Sequence, residues 1–67
     1  MKKEFKVDGM SCSHCKMAVM RALMNDSRIT KVDVNLDTKV VQIDANSEID
    51  MKDIKHIIDE AGYTVID

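Results

Sequence analysis

The hydrophobic pattern of this chain switches between a two-residue and a helical period, and the order of those switches limits its fold more than any other feature. In residues 3–7, Lys-Glu-Phe-Lys-Val, polar and apolar positions alternate with Phe5 and Val7 on one face, as in a strand with one buried side. Asp8 and Gly9 interrupt it. From about Ser13 to about Asp26 the period is helical: Cys15, Ala18, Val19, Ala22 and Leu23 share a face, with Ser13 placed as the N-cap. Residues 30–36 alternate again with Val32, Val34 and Leu36 inward. Asp37 and Thr38 turn the chain, and residues 39–44 return with Val41 and Ile43 inward, a hairpin. Asp50 caps a second helix whose stripe is Met51, Ile54, Ile57, Ile58 and Ala61, with Ile49 and Ile54 as a hydrophobic staple. Gly62 stands where a left-handed helix terminus wants glycine, and Tyr-Thr-Val-Ile, 63–66, is the last strand.

The order β-α-β-β-α-β predicts an α+β fold of the ferredoxin-like type, a four-stranded antiparallel sheet with both helices on one face. No internal repeat or linker is visible, so residues 1–67 are expected to form a single domain. A chain this short buries only about 60% of its unfolded surface. With one phenylalanine, one tyrosine and no tryptophan, its core must be mostly aliphatic and methionine.

A formal net charge of −2 speaks against a nucleic-acid partner, which asks for a basic stripe or patch. The longest apolar run, Met17 to Met20, is fenced by Lys16 and Arg21 and falls far short of a membrane span. Glu4 and alternating polarity follow Lys2 and Lys3, which is no signal peptide, so a cytoplasmic protein without membrane insertion is expected. In that compartment thiols stay reduced, and a close cysteine pair points to metal binding or catalysis rather than to a structural staple.

Both cysteines lie in Asp-Gly-Met-Ser-Cys-Ser-His-Cys-Lys-Met, residues 8–17, where the first strand gives way to the first helix. Cys12 is expected in an exposed loop and Cys15 in the first helical turn, where free backbone N–H groups and the positive end of the helix dipole favour a thiolate. Such a pair selects Cu(I), zinc or an iron–sulfur cluster. A structural zinc site wants four ligands. Here only Cys12, Cys15, His14 and His56 offer themselves, and His56 falls among Lys52, Asp53, Lys55 and Asp59 on the polar side of its helix. Clusters fail on the same count. Two thiolates suffice for Cu(I), a d¹⁰ ion that tolerates low coordination. Redox chemistry is the competing use of a bare C-x-x-C, although the tryptophan, glycine and proline that usually flank a thioredoxin pair are absent.

The stretch Gly-Met-Ser-Cys-Ser-His-Cys resembles the G-M-x-C-x-x-C signature of heavy-metal-associated domains. The helix Cys-Lys-Met-Ala-Val-Met-Arg-Ala-Leu, the hairpin segment 32–43 and the closing Ile-Asp-Glu-Ala-Gly-Tyr-Thr-Val-Ile are similar to the matching family segments, so the resemblance spans nearly the whole chain. It implies metal binding by Cys12 and Cys15, a packing role for Met10 beneath the loop, and Tyr63 in the loop beside the site. Serine and histidine around the cysteines, Ser13 and His14, and tyrosine after glycine are similar to free-standing bacterial copper chaperones of the CopZ type. Those pass Cu(I) to metal-binding domains of copper-exporting P-type ATPases and, in some bacteria, to a copper-sensing repressor. His14 is expected either to tune the site or a partner's approach, or to be a solvated loop histidine.

The family's glycine-valine before the second strand is replaced by Arg28 and Ile29, which is expected to alter only a turn. Met17, Met20 and Met24 fall opposite the core stripe of the first helix and predict a solvent-facing apolar strip, a surface for a partner or for a copper-dependent homodimer. Three functions stay open at this point. They are a copper carrier that is not an enzyme, a metal-binding domain excised from a transporter ATPase, and a thiol oxidoreductase.

Overall fold

A computed structural model describes residues 1–66; Asp67, the last residue of the expected domain, lies outside the described residues. The elements are β1 (Lys2–Asp8), α1 (Ser13–Met24), β2 (Ile29–Asn35), β3 (Val40–Ala45), α2 (Met51–Glu60) and β4 (Thr64–Val65). The strands form one sheet in the order β2-β3-β1-β4 with every neighbouring pair antiparallel, the ferredoxin-like arrangement. No helix among the described residues is long and apolar enough to cross a membrane.

The alternating strands place Phe5 and Val7 of β1, Val32 and Val34 of β2, and Val41, Ile43 and Ala45 of β3 under the helices. Val19 and Leu23 of α1 and Ile54 and Ile58 of α2 close over them, and Ile49 is buried ahead of α2 as a staple residue should be. These fully buried aliphatic side chains contribute about 1.5–3 kcal/mol each relative to exposure, which makes the shared core the main source of stability.

Several boundaries differ from those the pattern predicts. Ile29 pairs with Ala45 but Lys31 pairs with Asp44, so Thr30 is an extra residue whose hydroxyl donates to the Asp44 carbonyl. This bulge lets Ile29 and Val32, three residues apart, both face the core. The hairpin turn spans residues 36–39 rather than Asp37 and Thr38 alone. The Asn35 side-chain oxygen accepts the N–H groups of Asp37 at 2.9 Å and Thr38 at 3.2 Å, and Lys39 takes a left-handed φ of 65° to re-enter the sheet. The final strand keeps only Thr64 and Val65, leaving Tyr63 outside it. On α1, Met17 and Met24 are half exposed, but Met20 packs against the core, so the expected apolar strip faces solvent only at its two ends.

Arg28 does more than alter a turn. Its guanidinium grips Asp26 through Nε at 3.0 Å and Nη2 at 2.7 Å, and Nη1 reaches Asp53 in the first turn of α2 at 3.2 Å. It ties the loop leaving α1 to the helix beside it. The Arg28 side chain, donating to both its oxygens, holds the Asp26 carboxyl down at about 2.

Candidate metal centre

Two backbone devices bring the site together. The first is the loop from β1 into α1. Gly9 turns the chain at a φ of 96°, and Met10 then drops into the core, buried, and pins the loop from below. A side chain at Gly9 would also meet the Tyr63 ring, since a Cβ there would lie 3.3 Å from its Cδ1. Cys12 is extended at φ −157°, and its carbonyl accepts the Lys16 N–H at 3.1 Å, the first bond of α1. The cap is therefore Cys12 and not Ser13, which becomes the first helical residue. Cys12 makes no side-chain cap bond and the first turn carries no acidic residue, so no carboxylate competes for the positive end of the helix.

The second device is the end of α2. The Gly62 N–H donates to the Asp59 carbonyl and the Tyr63 N–H to the Ile58 carbonyl, both at 3.0 Å, with Gly62 at a φ of 93°. This paired closure is a Schellman motif. It reverses the chain so that the Tyr63 ring leaves α2 directed at the other helix's first turn.

Between them lies the thiol pair. The Cys12 thiol donates to the Cys15 sulfur at 3.6 Å, and the Ser11 hydroxyl is 3.9 Å from the same sulfur. Cys12 is exposed, Cys15 is half buried, and both are free of disulfide bonding. The Ser11 backbone N–H, the Tyr63 hydroxyl and the Cys12 thiol all donate toward Cys15 and outweigh its slight desolvation. Together they lower the Cys15 thiol from the ordinary 9.0 to about 6. The Tyr63 phenol moves the opposite way, raised chiefly by its hydrogen bond to Cys15, as a donor facing an anion must be. At neutral pH Cys15 is a thiolate on an accessible edge of the protein.

Of the residues singled out from sequence, the structure gathers Cys12, Cys15 and Tyr63, with Met10 beneath them. Ser13 and His14 are exposed on the first turn of α1, and neither is the hydroxyl or donor that faces the sulfur. Ser11 takes that place. Nothing in the local pattern marks Ser11, because its role depends on the direction of one loop N–H. His56 is exposed on α2, 3.5 Å from Glu60. Among the described residues no group of three or more histidine, cysteine or acidic side chains is placed to hold a metal ion.

Comparison with known proteins agrees over nearly the full length. Residues 4–64 match the heavy-metal-associated domain family. The copper chaperone CopZ of Staphylococcus epidermidis is 41% identical over 64 residues, 94% of each chain. A solved CopZ metallochaperone superposes with a TM-score of 0.91 at 37% identity, covering 98% of this chain and all of the other. A copper binding domain from a P-type ATPase superposes at 0.87 with 29% identity, covering 98% of this chain and 93% of its own. With its family match spanning residues 4–64 and its relatives covering nearly the whole chain, the protein belongs to the heavy-metal-associated domain family.

Proposed function

We propose that this single domain is a cytoplasmic copper carrier that holds one Cu(I) between Cys12 and Cys15 and hands it to the metal-binding domain of a copper-transporting P-type ATPase. The observation that carries the reading is the thiol pair itself: two sulfurs 3.6 Å apart on an exposed edge, one of them already favoured as a thiolate, with no histidine, cysteine or acidic side chain among the described residues placed to complete a larger ligand set. Zinc in a structural site asks for four ligands, whereas soft thiolates select Cu(I), which accepts two. To take a metal between them the sulfurs must adjust, a movement that the exposed Cys12 can make while Cys15 is half buried at the start of α1.

Transfer follows from the low coordination. A thiolate of the acceptor bonds to the metal first; one cysteine–metal bond then breaks, and the freed sulfur takes a proton from water or from a neighbouring donor. Repeating the exchange moves the ion through three-sulfur intermediates without releasing it, as thiol–disulfide exchange passes through a mixed intermediate. No covalent bond of a substrate changes, so the protein is a carrier and not an enzyme. The likeness to the ATPase copper binding domain supports such a domain as acceptor, because donor and acceptor then present similar loops.

The test is a competition titration of the reduced protein against a strong Cu(I) chelator, repeated with zinc. Wild type is expected to retain one Cu(I), and the Cys12→Ser/Cys15→Ser variant none, while remaining folded. Equal retention by the two proteins, or a preference for zinc, overturns the reading.

A further inference from the structure

The helix that carries Cys15 also carries an unexplained excess of sulfur. Three of the six methionines in the chain, Met17, Met20 and Met24, lie on the twelve residues of α1. They are three and then four residues apart, which makes each a neighbour of the next on one face of the helix. Met17 and Met24 are 51% and 47% exposed, and Met20 stands between them, partly buried against the core. The exposed positions of α2 are filled differently, by Lys52, Asp53, Lys55, His56, Asp59 and Glu60. Helix formation does not ask for the sulfurs, since leucine, lysine and glutamate serve as well.

We propose that Met17, Met20 and Met24 form a second, thioether site for a soft monovalent cation, separate from the cysteine pair. Thioether sulfur, like thiolate, selects Cu(I) over harder ions. Met20, anchored by its packing, supplies the central ligand. Met17 and Met24 lie about one turn to either side of it, near enough for unbranched, freely rotating side chains to share one ion. The ligands are neutral, so binding releases no proton and leaves the ion's positive charge uncompensated. The site is therefore weaker than the dithiol and indifferent to pH, suited to a loosely held ion rather than a stored one.

The experiment uses Ag(I) as a redox-inert probe and the Cys12→Ser/Cys15→Ser variant, so that the cysteine site contributes nothing. Methionine ε-methyl resonances are followed by NMR during titration in a nitrate buffer. Those of Met17, Met20 and Met24 are expected to move together and saturate at one ion, while those of Met1, Met10 and Met51 stay. The affinity is expected to be the same at about pH 5.5 and about pH 7.5, because no ligand carries a proton. Adding Met17→Leu and Met24→Leu, which keeps the apolar surface and changes only half-exposed side chains, is expected to weaken binding at least about tenfold. Absence of a saturable shift at these three methyls overturns the proposal. So does unchanged affinity in the leucine variant, which would leave only an apolar surface. Binding that collapses as pH falls through the histidine range overturns it as well, by assigning the ion to His14 or His56.

Discussion

The two ends of the helix pair join helices to strands with opposite chemistry. At the end where α1 finishes and α2 begins, the Asp26 carboxylate is met by the Arg28 guanidinium, which also bonds Asp53, so anions and cation are satisfied within the protein. At the end where α1 begins and α2 finishes, the Cys15 thiolate is stabilised by the Ser11 N–H, the Tyr63 hydroxyl and the Cys12 thiol. None of these donors is charged. An anion held by neutral donors is present at neutral pH yet still lacks a counter-charge, and that is the state in which it best accepts a cation from outside. Had an arginine stood where Tyr63 stands, the thiolate would be closed as firmly as Asp26 is. The protein spends its ion pair on structure at one end and leaves charge open at the other.

The harshest way to break the contrast is to remove the core that both ends share. Leu23 is fully buried in that core, and Leu23→Ala is expected to cost about 2–5 kcal/mol. That is a large part of the ~3–10 kcal/mol expected for a chain of this length. Urea unfolding monitored by amide NMR should show the Arg28 and Cys15 regions loosening together; a loss confined to one end means that they are not built on one core.

Gly9→Ala strikes the site end alone. The left-handed φ of 96° disfavours a side chain by about 1–2 kcal/mol, and the added methyl presses on the Tyr63 ring at 3.3 Å. Beyond that modest destabilisation, the Cys15 alkylation midpoint should rise as the phenol is displaced. A stability loss without any change in thiol reactivity contradicts the close packing of this loop on Tyr63.

Arg28→Ala is its counterpart at the far end, with only a small expected loss of stability because the pairs are partly exposed. Asp26 is held at about 2, below its ordinary 3.8. Its contribution is therefore fully present above about pH 4 and is lost as pH falls through about 2, where the acid-unfolding curves of variant and wild type should converge. Copper retention and Cys15 reactivity should be unaffected; a change in either joins the two ends electrostatically and removes the contrast.

The smallest expected effect on stability, and the most telling for the site, belongs to Tyr63→Phe. The ring and its packing stay while one donor to Cys15 goes. Alkylation of Cys15, mapped by mass spectrometry against pH, should have its midpoint near about 6 in wild type and move toward 9.0 in the variant. Because the folded thiol lies below its unfolded value, its stabilising contribution is present above about pH 9 and is lost as pH falls through about 6. The variant should show a shallower rise of stability with pH across that window. An unchanged midpoint removes Tyr63 from the site.

What the sequence determined by itself was the succession of elements, their inward faces and the placing of two thiols at the junction of β1 and α1. Each is carried by periods of two or 3.6 residues and by a few capping positions, so each is local. Gly62 was legible for that reason, and so was the Ile49–Ile54 staple. The resemblance of the loop to heavy-metal-associated domains added the expectation that Tyr63 stands nearby. Only the tertiary structure decided that Thr30 bulges to turn Ile29 inward, that Ser11 rather than Ser13 faces the sulfur, that Met20 leans on the core, and that Arg28 reaches Asp53. Each of these depends on the direction of a single backbone N–H or on a partner that another element supplies. A pattern along one chain segment holds no information about either, because pairing across the fold is fixed only when the sheet, the helices and their shared core have taken their places.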